Sequence, residues 1–393
     1  MAGPSLDGLV SRDLLKWARE TSRLDVPAAA KKMNKPEARI RAWEAGEQVP
    51  ALAQLRQLAK IYKRSIGVFF LEAPPAATEQ PADFRRFELS TEHLVSSDLA
   101  NGIREAEAKR DAALGIYAQL EEEPPAFDLG LAGMLQPEPM AEHLTQKLGI
   151  TMNDRRAWAN DYDALNAWKA AVESLGVLVM QISGVEVSEM RGCSLALFPL
   201  PVVILNSTDR PLGRVFTLLH ELAHLARAES SLCDVRDEAP RGDREQSIET
   251  YCNHVAGAIL LPFDHLLQHP AVANARAAEW GADTLATLRR TFWASREAIL
   301  RRLLMAGKTS QAFYQRMREE YRREHAGDEG DSSAGFASFP RRVVLANGRF
   351  LTRLVVDAYD SAVITGSELS RILGTKIDHL PKIVDVLKHR EAA

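Results

Sequence analysis

His220, Glu221 and His224 stand together in one apolar run, residues 215–225, and their spacing is that of a metal-dependent hydrolysis site. On an α-helix, positions four apart lie nearly above one another, so the two imidazoles can converge on one ion. Glu221, one step on, reaches a water beside that ion without being a ligand. Zinc of the catalytic kind takes three protein ligands and keeps one position open, and two histidines with one glutamate form such a set. Glu249 supplies the best third ligand, in a second helix-like apolar segment at residues 248–262. One turn further, Asn253 is placed to hydrogen-bond the outer nitrogen of a liganding histidine and fix its tautomer. The flanks Val215, Phe216, Leu218, Leu219, Leu222, Ala223, Leu225 and Ala226 bury most of the first helix, where two histidines without a partner are costly.

The run RVFTLLHELAHL, the later E-x-x-x-N and the apolar stretch closing on Leu260, Leu261 and Pro262 resemble the ImmA/IrrE family of metallopeptidases, a gluzincin-like group. PVVILNS at 201–207 is similar to the short strand that precedes the active-site helix in that family. An edge strand of this kind can pair with an extended substrate backbone. The resemblance implies zinc ligands at His220, His224 and Glu249 and a general base at Glu221, with Zn2+ or Mn2+ as the ion. Tyr251, Cys252 and Ala258 depart from the family pattern, which bears on substrate preference rather than on metal binding.

Residues 26–62 contain a second pattern, with Ala28, Ala29 and Ala30, a turn near Asn34, then Trp43, Glu44, Gly46 and Pro50. This resembles the helix-turn-helix of XRE-type repressors. Ala29 and Ala30 allow close helix packing, Ile40 and Trp43 anchor the next helix, and Gly46 can take the positive φ of a helix C-cap. In a DNA-reading domain of this type Glu37, Ala38, Arg39 and Arg41 face bases or phosphates. Pro36 and Glu37 make a poor base-reading face, so a role in binding a protein partner or a second copy stays open beside DNA.

The elements that must position these groups follow from the rest of the chain. Its 393 residues allow two or three domains, and a net charge of −4 excludes a wholesale nucleic-acid coating protein. The N-terminus has no basic stretch leading into an apolar core, and no apolar run approaches about 18 residues, so a cytoplasmic location without membrane association is expected. Cys193, Cys233 and Cys252 are too few and scattered for a disulfide framework or a cysteine-rich metal site. Pro74, Pro75 and Pro81 mark a linker, the Asp83-Phe84-Arg85 run within it extends the resemblance, and residues 90–123 predict a long charged helix ended by Pro124 and Pro125. Strands are expected near VLVMQIS, SLALFP and PVVIL, and a helix-turn-helix-like segment at 284–304 with Ser295 as its cap. Arg289, Arg290, Arg301 and Arg302 in that segment read as structural rather than DNA-binding.

The fold class expected is therefore mainly α, α+β. It comprises a five-helix XRE-type domain (1–72), a linker and spacer helix (73–136), and a zincin-like peptidase domain with a small three-stranded sheet (137–325). A flexible linker (326–338) and a C-terminal helical interaction domain (339–393) complete it, the latter carrying a turn at 366–367 and an apolar stripe of Leu369, Ile372 and Leu373. The resemblance implies a regulatory zinc endopeptidase that cleaves a helix-turn-helix repressor, itself or a paralogue, and so switches on stress-response or mobile-element genes. The alternative is a DNA-binding regulator whose peptidase fold is a sensor or scaffold. A homodimer is compatible with either. His254, Tyr251 and His265 lie near Glu249 in sequence and are the candidates for stabilising an oxyanion.

Overall fold

The structure is a computed structural model that describes residues 9–22, 24–62, 64–73, 96–129, 136–228, 231–233, 243–275, 279–327 and 337–388. The proline-rich stretch with Asp83-Phe84-Arg85 and most of the acidic linker at 328–336 lie outside the described residues. The chain divides into two units, Met1–Glu105 and Ala106–Ala393.

In the first unit, α1 (Arg12–Thr21), α2 (Val26–Met33), α3 (Glu37–Ala45) and α4 (Leu52–Ile61) surround a core that includes Ala29, Ile40 and Trp43. Asp25 caps α2 by accepting from the Ala28 N–H at 2.7 Å. Asn34, in the left-handed conformation, ends α2, and Pro36 restarts the chain as α3, so the predicted turn falls at residues 34–36. Gly46 ends α3 with φ +77°, as its position requires. Arg19 ties α1 to α3 through Glu44, at 2.6 Å and 3.0 Å. The fifth helix expected here is a single 3-10 turn, Ile66–Phe70, because only Phe69 of that stretch is buried and one anchor does not sustain a longer helix.

The boundary between the units falls inside α5 (Ser97–Leu120), the predicted spacer helix. The second unit continues with α6 (Pro137–Leu148), α7 (Met152–Arg156) and α8 (Asp161–Glu173). Next come β1 (Leu178–Ile182), β2 (Gly192–Leu195) and β3 (Val202–Asn206), then α9 (Pro211–Ala226), β4 (Ser231–Cys233) and α10 (Asp243–Leu260). The three predicted strands form, and the short β4 joins them in the order β1-β3-β2-β4. β1 runs parallel to β3, whereas β2 is antiparallel to both β3 and β4. β3 is therefore an interior strand, not the edge strand that the family resemblance implies. Its run Val202–Asn206 is buried throughout, as suits a strand covered on both faces. Among the described residues, the edges of the sheet are β1 and β4.

α9 packs directly on this sheet. A Cβ at Gly192 would stand 2.4 Å from Thr217 Cγ2, so only glycine permits so close an approach. Arg214 fastens α9 to β1 through Gln181 at 2.7 Å. α10 lies against α9 and α6, and its C-terminal carbonyls are held by the buried Arg155, which donates to Leu260 O at 2.6 Å and Ile259 O at 2.9 Å.

Beyond α10 lie α11 (Phe263–Gln268), α12 (Pro270–Ala273), α13 (Ala282–Phe292), α14 (Arg296–Met305) and α15 (Gln311–Gly327). Ser295 caps α14 as predicted, accepting from the Ala298 N–H at 3.1 Å. Arg302 is buried and forked onto Glu138 at 2.7 Å and 3.2 Å, which makes it a packing residue.

The C-terminal helices α16 (Phe339–Asn347), α17 (Arg349–Asp360), α18 (Gly366–Leu373) and α19 (Leu380–Lys388) return to the sheet, with α16 and α17 packed on β1 and α17 on α8. Leu369, Ile372 and Leu373 are buried rather than forming an exposed stripe, and Gly366 and Ser367 open α18 instead of making a turn. Gly348 has φ +78°, and a Cβ there would stand 2.4 Å from Val179 O. Beside it the buried Glu173 accepts from the Phe350 N–H at 3.3 Å. Burial pushes the Glu173 carboxyl above its ordinary range, outweighing the Lys169 charge and the backbone N–H groups that favour ionisation. A raised folded-state pKa gives stability that is fully present below the unfolded value, about 4.3, and lost as pH rises through the folded one. Glu173→Gln keeps an acceptor without the charge, so the variant is expected to melt higher than the parent at pH 8 and equally near pH 4. An equal gain at both pH values would show that ionisation is not the cause.

Candidate metal centre

α9 carries His220 and His224 one turn apart on its buried face, and α10 brings Glu249 across to meet them. His220 Nε2 lies 3.0 Å from His224 Nε2. Glu249 Oε2 is 3.3 Å from the first and Oε1 is 3.3 Å from the second. All three residues are buried and offer ligand atoms within 4.8 Å of one another. Donors at tetrahedral positions about 2.0–2.2 Å from a common centre stand about 3.3–3.6 Å apart, so the observed separations fit one small ion with a position to spare. The donor set of two imidazoles and a carboxylate suits zinc and neighbouring divalent ions. Burial alone would raise the Glu249 carboxyl, but hydrogen bonds and charge from His220 and His224 outweigh it and hold the group well below the usual carboxylate range.

Asn253, one turn after Glu249, sets its Oδ1 3.1 Å from His220 Nδ1. That contact assigns the ring proton to Nδ1 and leaves Nε2 as the lone-pair side facing the cluster. Glu221 is buried beside it. Ser231 Oγ of β4 donates to Glu221 Oε2, and Ser231 Oγ is in turn 3.0 Å from Ser194 Oγ of β2. Among the described residues, Glu221 Oε1 has no hydrogen-bond partner. One carboxylate oxygen is thus fixed by the sheet while the other is left open.

The sequence-predicted residues His220, Glu221, His224, Glu249 and Asn253 all meet here. Ser231 and Ser194 were not singled out by sequence, since isolated serines carry no spacing signal. Only the register Ser194↔Ser231 of the β2–β4 pair places them together. Of the three oxyanion candidates, His254 turns to Glu138 at 2.6 Å and His265 is exposed on α11. The Tyr251 hydroxyl is buried with no partner among the described residues, beneath the Arg227 guanidinium, which lies 5.1 Å over the ring. Cys252 is buried, and burial pushes its thiol up to about 12, which leaves it unreactive at neutral pH. In the first unit, Glu37, Ala38, Arg39 and Arg41 are all exposed along α3. Arg41 pairs with Glu37 at 3.3 Å and Arg39 donates to Gln48 at 2.8 Å.

Residues 172–304, which hold α9, α10 and the sheet, match the model of the IrrE N-terminal-like domain of peptidase family M78. The second unit thus contains an IrrE-like metallopeptidase domain. Over 64 residues the chain is 47% identical to the radiation response metalloprotease IrrE of Deinococcus radiodurans, a stretch covering 16% of this chain and 19% of that relative. It is also 47% identical over 64 residues to the protein of the same description from Deinococcus deserti, covering 16% of this chain and 22% of the relative. The matched stretch spans about a fifth of the length of these curated relatives. No helix among the described residues is long and apolar enough to cross a membrane.

Proposed function

We propose that the protein is a regulatory, zinc-dependent endopeptidase acting in the cytoplasm on a helix-turn-helix repressor. The observation that carries this reading is the convergence of His220, His224 and Glu249 beside a glutamate with one oxygen unpartnered among the described residues. Those three residues would hold a zinc-class ion, which would supply Lewis acidity toward a peptide carbonyl and acidify water. Glu221 Oε1 accepts the proton as water attacks the carbonyl carbon and passes it to the departing amine, while Ser231 keeps Oε2 from turning away. Asn253 orients His220. β4, rather than β3, offers the sheet edge against which an extended substrate can pair. The regulatory part of the reading draws on the radiation-response description of the Deinococcus relatives and on the repressor-like pattern in the first unit.

That first unit supports a second role. α3 follows α2 across a three-residue turn and presents Glu37, Ala38, Arg39 and Arg41 to solvent, an arrangement suited to a DNA groove or to a protein carrying the same fold. We infer that it guides the peptidase to its target, on DNA or on the repressor.

The decisive experiment compares cleaved proteins in cells producing the natural chain and the Glu221→Gln variant. A repressor fragment present only with the natural chain supports the proposal, and identical fragment sets would leave a scaffold or DNA-binding regulator. Asn253→Ala is expected to weaken zinc binding by about 10–100-fold in competition with a chelating dye. Unchanged affinity would remove Asn253 from the site.

A further inference from the structure

We propose that a cavity of about 390 Å³ on the far side of His220 binds a small organic monoanion with an apolar body. The cavity lies between α9, α10, α14 and α15, and Phe216, Leu304, Met305 and Tyr314 give it apolar walls. Its size falls within the range of small-molecule sites. Most charge on its walls is already balanced. Arg302 is forked onto Glu138, His254 shares the same carboxylate at 2.6 Å, and Arg318 meets Glu297 at 3.2 Å. Arg301 is different: it is half-buried, lines the cavity, and has no ion pair or hydrogen bond among the described residues.

The Arg301 guanidinium stands at the cavity wall with no partner among the described residues, free to receive an anion, and its planar fork matches a carboxylate. One uncompensated charge beside four apolar walls selects a monocarboxylate of aromatic or branched aliphatic body over a phosphate dianion, which would require a second free cation. The cavity is also separate from the metal cluster. Asn253 lines it and engages His220 Nδ1, whereas the cluster lies on the Nε2 side of the same ring. An occupant therefore touches the residue that orients His220 and acts as an effector rather than as a substrate.

The test uses the full chain with phenylacetate and indole-3-acetate as probes and their neutral amides as controls, read by calorimetry and ligand-observed NMR. At least one acid is expected to bind about tenfold or more tightly than its amide, the scale of a hydrogen bond to a charged group. Arg301→Gln should erase that preference with the thermal midpoint unchanged. Met305→Trp, which fills the cavity from an exposed position, should block acid and amide alike. Failure of both acids to bind at millimolar concentration, equal binding of acid and amide, or a preference that survives either substitution would overturn the site. The effector role rests on the metal reading and has its own readout. Saturating acid is expected to change zinc affinity several-fold in the natural chain and not in Arg301→Gln, and binding without that change would overturn the effector role while leaving the site.

Discussion

Glu221→Gln is expected to lower turnover by about 10²–10⁴-fold while zinc stoichiometry and fold stay as in the natural chain. The expectation follows from the two oxygens of one carboxylate. Oε2 is held by Ser231, and an amide oxygen accepts from that hydroxyl equally well, so the side chain keeps its place. At the other position, where Oε1 has no partner among the described residues, the amide then presents its NH2 group, which takes no proton from water. Because Glu221 is not among the residues whose donor atoms converge, the substitution leaves the three metal-holding residues untouched. Two measurements separate the possibilities: zinc content by atomic absorption, and single-turnover cleavage of the repressor fragment found in cells. Full metal with full activity would remove Glu221 as the base. Lost metal with lost activity would show that Glu221 supports the ligands, and the proton would have to be carried by another group.

Much of this centre was legible in the sequence because it obeys short-range rules. Residues four apart on a helix must share a face, so His220 and His224 had to meet. Glu249 and Asn253 repeat the same spacing on a second apolar helix, and Ser295 and Gly46 mark helix ends for local reasons of capping and positive φ. What escaped the sequence depends on pairing across the chain. β4 is three residues long, too short for any alternation to register, and its value lies in the partner it meets on β2. The family resemblance implies an edge strand before α9, yet a strand's place in the chain does not fix its place in a sheet. Val202–Asn206 is buried throughout and sits between β1 and β2, so the free edge beside the glutamate belongs to β4. The stripe at Leu369, Ile372 and Leu373 has the periodicity of a surface awaiting a partner. The same periodicity serves a small core, and α17 supplies the cover.

His224→Ala should give the largest change of all in metal content, from one ion per chain to none at micromolar zinc. Only His220 and Glu249 would remain to hold an ion, two ligands where catalytic zinc takes three. The loss should also be visible in stability. An ion bound only by the folded state stabilises it by about 4 kcal/mol when free metal exceeds its dissociation constant a thousandfold. Here that energy would link α9 to α10, the helices that α8 and α6 pack against. Adding a chelator to the natural chain should therefore lower its thermal midpoint, whereas His224→Ala should melt at the lowered value with or without chelator. Glu249→Gln offers the matching control on the other helix, since an amide oxygen retains the shape and loses the charge that the two imidazoles favour. If His224→Ala keeps its zinc, the ion is held by other residues. A centre of that kind would be structural, and the open position on which hydrolysis depends would not exist.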